Sequence, residues 1–63
     1  MKNRVAELRK ERGMSQNELA EKAGICRPYL SQIETHRQKV VGSEVMFNLA
    51  KALGVKYEEI FSP

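Results

Sequence analysis

The chain has 63 residues, one cysteine, one histidine and a formal charge of +3. That length makes one domain whose folding buries only about 60% of the surface the unfolded chain exposes, so its stability is expected to be modest. A lone cysteine excludes an internal disulfide, no Cys/His cluster has zinc spacing, and no apolar run reaches the roughly 20 residues a bilayer requires. The start, Met1-Lys2-Asn3-Arg4, runs into mixed charge and not into an apolar leader. Cytoplasm is the expected compartment, which suits a free thiol.

Five short helices and no strand can be read in chain order. The first is expected from about Lys2 to Arg12, with Val5, Leu8, Arg9 and Arg12 on one face. Gly13 follows it as a stop. The second opens on a capping box, Ser15-Gln16-Asn17-Glu18, in which each end satisfies an orphan N–H of the other. Met14 can staple onto Leu19, and Leu19, Ala20 and Ala23 form the inner face. The third begins near Cys26–Pro28, because proline's missing N–H costs nothing in a first turn. Leu30 and Ile33 face inward, Ile25 plugs the preceding turn, and the helix ends near Glu34–Thr35. A polar stretch, His36-Arg37-Gln38-Lys39, leads to a fourth helix from Gly42 or Ser43 to Leu53, with Val45, Met46, Leu49, Ala50 and Leu53 as its stripe. A last short helix, about Tyr57 to Phe61, offers Ile60 and Phe61.

The charge is uneven. Residues 1–42 hold nine basic against five acidic side chains, and residues 43–63 two against three. A basic front and a slightly acidic back suit one face on a polyanion, although the excess is small and an ordinary solvated surface is the alternative.

The informative stretch is Gln16 to Thr35. Two helices crossing steeply through a tight turn need a small residue where they touch, a residue free to take positive φ in the turn, and apolar plugs beyond it. Ala20, Gly24 and then Ile25, Leu30 and Ile33 supply these at helix-turn-helix spacing. With Arg9 to Gln16, Leu30 to Glu34 and Leu49 to Val55, the chain from Val5 to Phe61 resembles the phage Cro/repressor-like, or XRE, helix-turn-helix family. The resemblance implies an all-α, lambda-repressor-like bundle of five helices, with the helix-turn-helix at the second and third. It also implies a sequence-specific regulator of transcription, bacterial or phage-encoded and nucleoid-associated. Such a protein binds double-stranded DNA as a homodimer on a palindromic operator.

In such a motif the second helix enters the major groove N-terminus first. Its early outward positions are Arg27, Pro28, Ser31 and Gln32, expected at base edges. Arg27 has the donors for guanine O6 and N7, Gln32 the amide for adenine N6 and N7, and Pro28 an apolar surface for a thymine methyl. Phosphate contacts are expected from Gln16, which in the family also braces the recognition helix, and from Arg37 and Lys39, with Thr35 and His36 as further candidates. Tyr29 either reaches a phosphate or packs on the domain. Arg9 and Glu34 lie near inward stripes, where an unpaired charge is costly; the family pairs these positions, which implies an ion pair joining the first helix to the third. A two-fold interface is implied near the C-terminus, with Tyr57, Ile60 and Phe61 as candidates and the chain's own core as the alternative for the last two.

Two departures stand out. The glycine and proline that often follow the family's glutamate are missing, so His36 is expected to take the left-handed position, which histidine tolerates better than most residues. Cys26 stands where a serine or threonine cap is common; it is either a small residue of the turn or a redox-sensitive thiol beside Arg27. The main competing reading is a protein-interaction module that keeps the fold. No enzyme is expected, for want of a carboxylate pair, a Ser/His/Asp set, a glycine-rich phosphate loop or a metal cluster. No cofactor, membrane or small-molecule ligand is implied.

Overall fold

The computed structural model describes residues 3–37 and 41–61, the last without its side chain. Within them the chain is all-helical: α1 Val5–Glu11, α2 Gln16–Ala23, α3 Arg27–Glu34, α4 Ser43–Leu53 and α5 Tyr57–Phe61. α2 lies against both α3 and α4, and α1 closes the side made by α3 and α4. The common core holds Val5, Leu8, Leu19, Ala20, Ala23, Leu30, Ile33, Leu49, Ala50, Leu53 and Ile60. Met14, Ile25, Val45 and Met46 pack on it only half-buried.

Local chemistry sets most boundaries. Ser15 Oγ accepts the Glu18 N–H at 3.1 Å, and the Ser15 N–H returns to Glu18 Oε1 at 3.3 Å. Gly24 adopts φ 72°, which lets the Ile25 N–H reach back to Ala20 O at 3.0 Å and turns the chain directly into α3. A β-carbon there would strain the left-handed backbone, so the turn needs glycine. α5 opens with half a capping box of its own, the Lys56 N–H donating to Glu59 Oε2 at 2.8 Å.

The first helix begins later than its periodicity suggests. Asn3 and Arg4 are not helical, because the Asn3 side chain turns back and accepts the Val5 N–H at 3.0 Å. Lys2 lies outside the described residues. Arg12 is exposed as the C-cap and takes no part in the inner face. Val41, at the end of a stretch that reads as polar, is buried against the core at 7% exposure. Ile60 is 0% exposed inside its own chain, which removes it from any interface with a second copy. The Phe61 side chain and Lys39 lie outside the described residues.

His36 has φ 62°, the left-handed value expected of it. The His36 N–H donates to Ile33 O at 3.1 Å and the Arg37 N–H to Gln32 O at 2.9 Å, the crossed pair that ends a helix at a left-handed residue. An L-residue in this conformation costs about 1–2 kcal/mol, and glycine's greater freedom when unfolded offsets part of the relief. His36→Gly is therefore expected to stabilise the fold by about 0.5–1 kcal/mol, a rise in Tm of roughly 2–8 °C for a domain of this size. Thermal unfolding of the two proteins checks this; a lower Tm in the variant would mean that the imidazole contributes more than the backbone loses.

Candidate nucleic-acid interface

α3 is amphipathic. Leu30 and Ile33 are fully buried, and the half-buried Tyr29 ring packs on the core, as its domain-side alternative requires. Arg27, Pro28 and Gln32 are exposed, and Ser31 is half-exposed. Arg27 with Ser31, and Pro28 with Gln32, are four residues apart, so the four side chains share one face of two successive turns. Cys26 caps the helix without a side-chain bond and is itself exposed.

The only carboxylate on α3 is withdrawn from this face. Arg9 Nε donates to Glu34 Oε2 at 2.7 Å and Arg9 Nη2 to Glu34 Oε1 at 3.2 Å. The two side chains are 12% and 5% exposed, although each residue counted with its main chain is half-buried. The fork is bidentate, the geometry in which arginine binds a carboxylate best. Arg9 Nη1 also donates to Met14 O at 2.8 Å, which ties the α1–α2 connection to the same junction. Gln16, the first residue of α2, donates from Nε2 to Glu34 Oε1 at 3.0 Å. One carboxylate thus joins α1, α2 and α3. With it neutralised, the outward face of α3 carries the charge of Arg27 and otherwise neutral groups.

The remaining expected contacts divide. Arg37 is exposed immediately after the left-handed turn. Thr35 donates its hydroxyl to Ser31 O at 2.9 Å, so it serves its own helix. Arg4 binds Glu7 at 3.2 Å; that hydrogen bond, and then the charge of Glu7, raise the guanidinium above its ordinary pKa.

Two further features lie outside the residues that the sequence pattern marks. Phe47 is 60% exposed on α4, and its ring lies 5.2 Å from that of Tyr57, which is 36% exposed. The Tyr57 hydroxyl sits 3.2 Å from Met46 Sδ. The signal was present, since position 47 falls off the stripe made by residues 45, 46, 49, 50 and 53. The other is Asn3, whose partner lies thirty residues away. Among the described residues no three histidine, cysteine or carboxylate side chains gather as a metal site. No described helix is long and apolar enough to cross a membrane.

A family model described as helix-turn-helix matches residues 5–60. The chain is 36% identical over 58 residues to the uncharacterized HTH-type transcriptional regulator y4dJ of Sinorhizobium fredii (strain NBRC 101917 / NGR234), covering 92% of this chain and 74% of that protein. It is 36% identical over 59 residues to the HTH-type transcriptional regulator SinR of Bacillus licheniformis, covering 94% of this chain but about half (53%) of the relative. Among solved structures, the restriction-modification controller protein C.AhdI from Aeromonas hydrophila superposes with a TM-score of 0.87 at 34% identity, over 92% of this chain and 86% of the other. The biofilm regulator SinR in complex with DNA gives 0.82 at 38% identity, over 87% of each chain.

Proposed function

The chain belongs to the XRE-type helix-turn-helix family, and from that membership we propose that it is a sequence-specific, double-stranded DNA-binding regulator of transcription with α3 in the major groove. The observation that carries the reading is the face of α3: Arg27, Pro28, Ser31 and Gln32 lie together, and the helix's one carboxylate is held inside. Base edges are read by donors and acceptors of this kind, and a carboxylate facing the phosphates would repel them. The DNA complex of a domain with the same fold supports the same use.

Arg27 takes a guanine, Gln32 an adenine, and Pro28 and Ser31 fill between them. Arg37, Lys39 and Gln16 bind phosphate. Two copies bind one operator, with half-sites about one helical turn (~34 Å) apart. Phe47 and Tyr57 supply the apolar face between the copies, in place of the buried Ile60. Occupancy of the operator helps or blocks polymerase; the protein acts in the cytoplasm, without a cofactor and without catalysis. Affinity falls steeply with salt as counterions return to the phosphates.

Selection of bound sequences from a random duplex pool, repeated with Arg27→Ala, tests this. The expected result is a palindromic consensus in which the variant loses information at one base per half-site. Affinity for the wild-type consensus should drop by about 1–3 kcal/mol per lost bidentate contact. A pool without enrichment would sink the regulator reading and turn the search to a protein partner.

A further inference from the structure

Asn3 makes a pair of bonds that the DNA-binding reading does not use. Its Oδ1 accepts the Val5 N–H at 3.0 Å, and its Nδ2 donates to Ile33 O at 2.9 Å. One residue on, the Arg4 N–H donates to Ile60 O at 3.0 Å, so the start of α1 is held against the ends of both α3 and α5. The Ile33 carbonyl is the oxygen that also accepts the His36 N–H at 3.1 Å. Both of its lone pairs are therefore taken, one by the left-handed turn and one by Asn3. An amide carries a donor and an acceptor at the same end of a short side chain, which is what the two bonds require. Carbonyls in the last turn of a helix otherwise depend on caps or water.

We infer that Asn3 is a positioning residue for the DNA complex. It clamps the last turn of α3 to the start of α1 and so sets the direction in which the chain leaves the recognition helix, one residue before Arg37. The functional half of this inference rests on the DNA-binding reading; the clamp itself rests only on geometry. A plain helix cap for α1 is the competing role, and the two separate by substitution. Asn3→Asp keeps an oxygen for the Val5 N–H but loses the donor to Ile33 and sets a negative charge against that carbonyl. Asn3→Ser keeps a short acceptor and also lacks the reach to Ile33, so it preserves the test should the Asp variant not fold.

Amide exchange and operator binding are measured at a temperature where circular dichroism shows native helix in every protein. In Asn3→Asp the His36 and Arg37 amides are expected to exchange on the order of fivefold faster, the ratio one net hydrogen bond is worth, while α1 keeps its protection. On the selected operator the affinity falls, and the slope of log K against log salt shrinks by about one per protomer as the Arg37 phosphate contact is lost. Unchanged exchange at His36 and Arg37 overturns the clamp. Faster exchange with unchanged affinity and salt slope overturns the positioning role. A wild-type chain that selects no operator removes the DNA-binding reading instead, and the exchange comparison still decides the clamp.

Discussion

Arg9→Met is expected to lower the stability of the protein by about 3–5 kcal/mol, because it leaves the Glu34 carboxylate buried with Gln16 in place of the arginine fork. A chain of 63 residues has roughly 3–9 kcal/mol of stability in total, so the loss is a third or more of the whole and unfolds the variant if the wild type lies at the low end. The bond from Arg9 Nη1 to Met14 O disappears as well, which loosens the entry to α2. Urea unfolding followed by circular dichroism reads the effect. The double variant Arg9→Met with Glu34→Leu should regain much of the loss, since replacing both members of a buried pair by apolar groups is often neutral or better. A single variant within 1 kcal/mol of wild type would show that the junction contributes nothing the surrounding core does not already supply.

The second large effect belongs to the other side of the recognition helix. Leu30 is fully buried beneath the face that carries Arg27 and Ser31. Leu30→Ala removes its apolar contacts and leaves a cavity, at a cost of about 2–5 kcal/mol. Ser31→Ala, one residue along and half-exposed, should stay within about 0.5 kcal/mol in the absence of DNA. The pair thus separates seating the helix from reading a base. Operator DNA binds only the folded form, so a hundredfold excess over Kd should return about 2.7 kcal/mol to Leu30→Ala. If the alanine variant unfolds at the wild-type midpoint, α3 is seated by its polar junction and not by its apolar face.

These two expectations draw on different kinds of information. Leu30 and Ile33 are legible as an inner face from spacing alone, as are the Ser15–Glu18 box, the turn at Gly24 and the proline in the first turn of α3. Each of those signals acts within four or five residues, where backbone hydrogen bonds and helical periodicity leave few choices. The outward face of α3 follows from the same periodicity, because fixing which side is buried fixes which side is not. The left-handed His36 was legible through the family resemblance, which puts a glycine at that step, together with histidine's tolerance of such a backbone. An inward charge at Arg9 and at Glu34 signals a partner for each, but spacing does not name it.

Tertiary structure decided the rest. Glu34 gained Gln16 as well as Arg9, Asn3 found Ile33, and Val41 was drawn into the core from a segment with no periodicity. Ile60 went inside its own chain, where the sequence left core and shared surface both open, whereas the exposure of Phe47 follows from its place off the α4 stripe. Apolar burial has no direction of its own, so which large side chain is covered depends on how the helices meet. The polar contacts that join α3 to the α1 and α2 segments pair residues eighteen or more positions apart, and no local window of the sequence contains both partners of such a contact.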